Sequence, residues 1–136
     1  MLIYKEIYIN TAHRLLNHRG KCKNVHGHDM RVQVWISGEK DKNTGLIVDF
    51  KEIEDIVQEL DHSIVLNRQD ELVQHIKTKM ILIDGDPTCE NISELLFTNL
   101  EVLKKKNPSI EIEKVRVWEN SRSYAEFYKR KEDKYL

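Results

Sequence analysis

Three histidines carry the first chemical signal in this 136-residue chain. His26 and His28 are separated by one glycine, and on an extended backbone residues two apart project to the same face. Their parity is that of Met30, Val32 and Val34, while His13 shares parity with Ile3, Ile7 and Ile9 on an earlier apolar stretch. If the two stretches pair as strands, the three imidazoles converge at one end of one sheet face. Three neutral imidazoles with an open fourth position form a known catalytic arrangement for Zn²⁺. Each ring keeps a second nitrogen for an orienting hydrogen bond. Spacing alone leaves two other readings open: separate histidines, each hydrogen-bonded in its own place, and a closed structural site with Cys22 as fourth ligand.

Groups able to move protons stand nearby in the sequence. Cys22 lies between Lys21 and Lys23, four residues before His26. Neighbouring positive charge raises the thiolate fraction, which suits a general base or a nucleophile; the plainer reading is a loop cysteine. Asp61 directly precedes His62, and a carboxylate beside an imidazole can fix its tautomer and raise its basicity; the plainer reading is a solvated helix end. Glu119 shares parity with Val115 and Val117, so its carboxylate belongs on the buried face at a strand end. Burial there is costly without a partner. A ligand with an amino group beside a ring N–H, as in pterins and guanines, would satisfy it, and so would a lysine or arginine at the core edge. Cys89 reads as a small helix-start residue, and His18 and His75, in polar stretches, as surface residues.

The elements that must position these groups follow from periodicity. Met1 to Ala12 reads as a strand, and the segment from His28 to Ser37 alternates with period two, as a half-buried strand does. Gly38 to Gly45 reads as a polar hairpin connection, with Leu46 to Val48 resuming the strand. Asp49 with Glu52 predicts a capped helix start. Phe50, Ile53, Ile56, Val57 and Leu60 then follow helical spacing. Gln69 to Thr78 predicts a short helix and Lys79 to Ile83 a short edge strand. Thr88 to about Lys106 predicts a second long helix with Ile92, Leu95, Leu96 and Leu103 as its stripe, ended by Asn107 and Pro108. Ile110 to Glu119 and Ser123 to Tyr128 predict two closing strands. The order ββααββ implies an α+β fold: an antiparallel four-stranded sheet with two long helices on one face.

Composition bounds the function classes. Hydrophobic residues make up 40% and charged residues 33% of the chain, as in an ordinary globule. The net charge of −1, from 22 basic and 23 acidic residues, supplies no excess of one sign to attract nucleic acid or a membrane surface. No apolar run approaches the roughly 20 residues needed to span a bilayer, and Lys5 and Glu6 interrupt the first apolar stretch, unlike a secretory signal. Two cysteines make no disulfide framework; a reducing, cytoplasmic compartment is expected. With no repeat or low-complexity linker, residues 1–136 read as one domain, and Lys129 to Lys134 as a solvated charge run.

Six blocks occur in one order over nearly the whole chain: T-A-H-R-L (11–15), G-K-C-K-N-V-H-G-H (20–28), G-L-I-V-D-F (45–50), L-D-H-S-I-V-L-N (60–67), P-T-C-E-N-I (87–92) and V-R-V-W-E-N (115–120). Together they resemble the 6-pyruvoyl-tetrahydropterin synthase / 6-carboxy-tetrahydropterin synthase family. The resemblance implies a tunnelling fold, three subunits forming a barrel and two barrels stacking into a homo-hexamer, with active sites at subunit interfaces. It implies one Zn²⁺ per subunit on His13, His26 and His28, Cys22 as catalytic general base, and Asp61 with His62 as the partner acid–base pair. Glu119 would anchor a small-molecule pterin, with Thr88 and Glu90 close by. The Cys22-x₃-His26 spacing is that of the 6-carboxy branch, which converts 7,8-dihydroneopterin triphosphate to 6-carboxy-5,6,7,8-tetrahydropterin, acetaldehyde and triphosphate in 7-deazaguanine (queuosine) biosynthesis. A 6-pyruvoyl-type elimination and, from another class, a non-catalytic oligomeric module with structural zinc are the alternatives. Asp29 and Met30, where the family usually shows a small polar residue and an aromatic, and the long segment Gln69 to Ile83 depart from the pattern.

Overall fold

The structure, a computed structural model, describes residues 1–130. Of the expected charge run, residues 131–134 lie outside the described residues, while Lys129 Nζ sits 3.0 Å from Glu101. The described elements are β1 (Leu2–His13), β2 (His26–Ser37), α1 (Phe50–Val57), β3 (Ser63–Asn67), β4 (Met80–Ile83), α2 (Cys89–Leu100), β5 (Glu111–Asn120) and β6 (Ser123–Phe127). They build one sheet of six strands in the order β4-β3-β1-β2-β5-β6.

The α+β class holds, but the sheet departs from the expected antiparallel four-stranded one. The pairs β1–β2, β2–β5 and β5–β6 are antiparallel, whereas β3 pairs parallel to both β1 and β4. The sheet is therefore mixed, and the order is ββαββαββ. The reason lies in β3: all five residues, Ser63 to Asn67, are buried, so the segment lacks the polar–apolar alternation that marks a strand. Leu46 to Val48 bury Ile47 and Val48 without joining the sheet, so residues 38–48 form an irregular loop in place of a hairpin. The helix expected over residues 69–78 is a single 3₁₀ turn, Glu71–Gln74, capped by Asp70. The second helix is α over 12 residues and continues as a 3₁₀ turn, Glu101–Lys105.

Both helices cover one face of the sheet. Ile7, Ile9, Met30, Val32, Val34, Val115 and Val117 point into a core shared with Ile53 and Val57 of α1 and Ile92, Leu96 and Leu100 of α2. Asp49 caps α1 by accepting from the Lys51 N–H at 2.9 Å; Glu52 pairs with Lys106 and does not turn back to the cap. Thr88 caps α2 by accepting from the Asn91 N–H at 3.1 Å. The opposite sheet face carries aromatic rings under cations, with Arg31 over Trp118 and Lys114 over Trp35.

Two features of the sheet matter for the histidines. The β1–β2 register sets His13 opposite His26 and Thr11 opposite His28, so the three rings occupy one directly opposed pair and its diagonal neighbour. A Cβ at Gly27 would stand 3.2 Å from the Thr11 carbonyl oxygen; glycine lets the two strands close at this end.

Candidate metal centre

His13 is fully buried and His26 and His28 are half-buried, at the end of the helix-covered face. His13 Nε2 lies 3.0 Å from His26 Nε2 and 3.1 Å from His28 Nε2. A carbonyl oxygen can only accept a hydrogen bond, so the partners of the far ring nitrogens fix two tautomers. His13 Nδ1 donates to the Pro87 carbonyl at 2.7 Å, and His26 Nδ1 donates to the Asn24 carbonyl at 2.7 Å. In neutral rings both Nε2 atoms then carry bare lone pairs, aimed at each other across 3.0 Å. That arrangement is repulsive unless a cation lies between them. The separations are near the roughly 3.3 Å expected between two nitrogens bound at 2.0–2.1 Å to one tetrahedral ion. The donor set therefore fits a metal ion, and His13, His26 and His28 could hold one.

Electrostatics favour the ligand form of the rings. Burial pushes His13 below its ordinary value, against the raising effect of the Pro87 hydrogen bond, and His26 and His28 lower it further. Burial likewise lowers His28, opposed by the Glu119 carboxylate. Both are thereby biased toward neutral imidazole, which is what a divalent ion needs.

Glu119 projects from β5 on the same face, as its parity predicts. Its Oε1 stands 3.6 Å from His28 Nε2 and 3.8 Å from His13 Nε2, and its side chain is 31% exposed. Among the described residues no lysine or arginine pairs with it. At the start of α2, Thr88 is half-buried, Glu90 is exposed, and the two flank Cys89. The Cys89 thiol is buried and donates to the Val117 carbonyl at 3.0 Å; burial pushes it up to about 11, with Glu119 and Glu90 adding to the effect. It is an inert packing residue that ties α2 to β5.

Cys22 occupies a 3₁₀ turn, Lys21–Lys23, held to the end of β1 by a 2.9 Å hydrogen bond from the Leu15 N–H to the Cys22 carbonyl. It is half-buried and reduced, and its thiol is not among the ligand atoms that lie within 4.8 Å of one another. Asp61 and His62 sit where the chain enters β3, in the bend between the 3₁₀ turn Gln58–Leu60 and that strand. Asp61 Oδ1 accepts from the Asn10 N–H at 2.7 Å and Asp61 Oδ2 faces His62 Nδ1 at 2.8 Å. The Asn10 hydrogen bond, outweighing burial and aided by His62, holds Asp61 below the usual carboxylate range. His62 has φ of 55° and a side chain 78% exposed. It lines, with His28, Thr11 and Ser63, a groove of about 420 Å³. The structure thus gathers the three histidines and Glu119, sets His62 in a groove that His28 shares, and leaves Cys22 outside the ligand cluster. His18 and His75 are exposed.

Other participants escape sequence reasoning. The Pro87 and Asn24 carbonyls and the Asn10 N–H are backbone groups whose role no side-chain pattern reveals. Arg14, next to His13, forms a two-point ion pair with buried Asp70, tying residues 70–74 to the end of β1.

Comparison with known proteins settles the family. The sequence profile of 6-pyruvoyl tetrahydropterin synthase matches residues 2–130. The chain belongs to this family. It is 30% identical over 140 residues to the 6-carboxy-5,6,7,8-tetrahydropterin synthase of Haemophilus influenzae, covering 92% of this chain and 96% of that one. A putative 6-carboxy-5,6,7,8-tetrahydropterin synthase of Archaeoglobus fulgidus is 34% identical over 130 residues, covering 93% and 94%. Among solved structures, an uncharacterised protein from Wolinella succinogenes superposes with a TM-score of 0.77 at 18% identity, over 96% of this chain and 98% of that one. The 6-pyruvoyl tetrahydropterin synthase of Caenorhabditis elegans gives 0.64 at 22% identity, over 96% of each. These structures share the fold of this family member. Among the described residues, no helix is long and apolar enough to cross a membrane.

Proposed function

We propose that this chain is a zinc-dependent 6-carboxy-5,6,7,8-tetrahydropterin synthase, a lyase that converts 7,8-dihydroneopterin triphosphate to 6-carboxy-5,6,7,8-tetrahydropterin, acetaldehyde and triphosphate on the 7-deazaguanine (queuosine) route. The observation that carries this reading is the imidazole triad, its lone pairs locked inward by two carbonyls, with the Glu119 carboxylate beside it. The names of the curated relatives and the Cys22-x₃-His26 spacing support the 6-carboxy branch.

His13, His26 and His28 would hold the zinc, and when bound the ion supplies Lewis-acid polarisation of the substrate's side-chain hydroxyls. Glu119 accepts from the ring N–H and amino group of the pterin, with Thr88 and Glu90 at the same end of α2. Cys22 moves protons at the side chain as general base. His62, its ring oriented by Asp61, moves them on the other side. The His62 side chain is 78% exposed beside the groove it shares with His28, which accords with active sites completed between subunits. The assembly is a tunnelling-fold homo-hexamer, a dimer of trimers, built from a single domain and working in the cytoplasm.

Stripping the metal with a chelator and restoring Zn²⁺ tests the reading. Consumption of 7,8-dihydroneopterin triphosphate should vanish and return. Turnover that persists in the stripped protein overturns the metal's role, and no turnover in the zinc-loaded protein favours a structural zinc module.

A further inference from the structure

The carbonyl that fixes His13 belongs to Pro87, and the peptide that carries it has the Thr88 N–H as its only donor. Its aim depends on its neighbours, and the structure pins them through one residue. The Asp86 carbonyl accepts from Asn91 Nδ2 at 2.7 Å and from the Thr88 N–H at 2.8 Å. The Asp86 carboxylate accepts from Asn67 Nδ2 at 3.0 Å through Oδ1 and from the Asn17 N–H at 2.9 Å through Oδ2. Four segments meet there: the loop after β1, the end of β3, the turn before α2, and the first turn of α2. Gly85, with φ of +83°, makes the turn that delivers Asp86 to this junction. Burial pushes the Asp86 carboxyl up, but hydrogen bonds from Asn67, Asn17 and Leu16 outweigh it and hold the group below its ordinary value. Asp86 makes no hydrogen bond to the histidines and does not line the groove that His28 and His62 share.

We infer that Asp86 is a positioning residue for the metal centre: held by Asn91, Asn67 and Asn17, it accepts from the Thr88 N–H of the Pro87–Thr88 peptide and so keeps the Pro87 carbonyl on His13 Nδ1 and the His13 lone pair directed at the metal. This deepens the metal-centre reading and rests on it. Outer hydrogen-bond partners of metal-ligating histidines are worth roughly 10–100-fold in metal affinity.

The test measures Zn²⁺ affinity against a chromogenic chelator, and the visible spectrum of the Co²⁺-loaded protein, for wild type, Asp86→Asn and Asn91→Ala. Asp41→Ala serves as control, because Asp41 caps a loop remote from the histidines through the Asn43 and Thr44 N–H groups. The metal-free melting temperature of each variant is recorded. Asp86→Asn keeps one acceptor but sets an amide N–H₂ against a donor, so Zn²⁺ affinity should fall by about 10-fold or more and the Co²⁺ bands should shift. Asn91→Ala removes one donor to the Asp86 carbonyl and leaves the Thr88 cap; it should show a smaller loss of the same kind, and it carries the test if Asp86→Asn does not fold. Affinity losses no larger than that of Asp41→Ala at matched melting temperature, with unchanged Co²⁺ bands, would overturn the proposal. A wild-type protein that binds no zinc would overturn the metal centre as well, which separates the two failures.

Discussion

At the scale of single residues, the proposed chemistry divides the side chains into those that would hold a metal and those that would move protons. The histidines were legible because strand parity is a hard constraint: Ile7, Ile9 and His13 face one way, as do His28, Met30 and Val32, and the register then brings them together. Glu119 was legible for the same reason, since Val115, Val117 and Glu119 lie together beyond the bulge at Trp35/Ile36. The carbonyls of Pro87 and Asn24 were not, because every residue has a carbonyl and only folding decides where it points. Cys22 stands outside the ligand cluster, so Cys22→Ala should keep its zinc, measured by elemental analysis, and lose turnover by about 10²–10⁴-fold. Loss of zinc from that variant would make Cys22 a ligand and sink its assignment as base. His26→Ala should do the opposite and lose the metal itself.

At the scale of elements, β3 and its entrance carry the lesson. The strand escaped periodicity because both its faces are covered, and with it went the parallel pairing that makes the sheet mixed. The residue at its entrance, His62, holds a left-handed backbone at φ of 55°, which costs a non-glycine residue roughly 1–2 kcal/mol. The strain is offset by anchors on both sides: the His62 N–H donates to the Asn10 carbonyl at 2.7 Å and Asp61 Oδ1 accepts from the Asn10 N–H. The geometry presents the imidazole to the groove. His62→Gly should therefore leave the melting temperature unchanged or raised, since relief of strain meets the extra entropy of glycine, while turnover collapses. A variant that loses stability and keeps its activity would show that the conformation serves the fold and not the chemistry. Arg14→Ala should be more damaging to structure, because it leaves the buried Asp70 carboxylate without its cation, a loss of about 3–5 kcal/mol visible in urea unfolding.

At the scale of the whole molecule, protonation and assembly become measurable. His13 and His28 are held below their ordinary value of 6.5. The unfolded chain therefore takes up protons near that pH that the folded chain refuses. Stability of the metal-free protein is full above this range and declines as pH falls below about 6.5. Asp61, Asp70 and Asp86, all held below the ordinary 3.8, add a second decline at lower pH as they are forced to protonate. Urea midpoints should drop between about pH 7 and pH 5 before the carboxylates contribute; a flat or rising midpoint there would contradict the burial of neutral imidazoles. Light scattering should give six times the mass of one chain, and a stable monomer would contradict the proposed completion of active sites between subunits. Zinc-loaded protein incubated with 7,8-dihydroneopterin triphosphate, with the products identified by mass spectrometry, should yield 6-carboxy-5,6,7,8-tetrahydropterin with acetaldehyde and triphosphate; a 6-pyruvoyl product without acetaldehyde, or unchanged substrate, would contradict it.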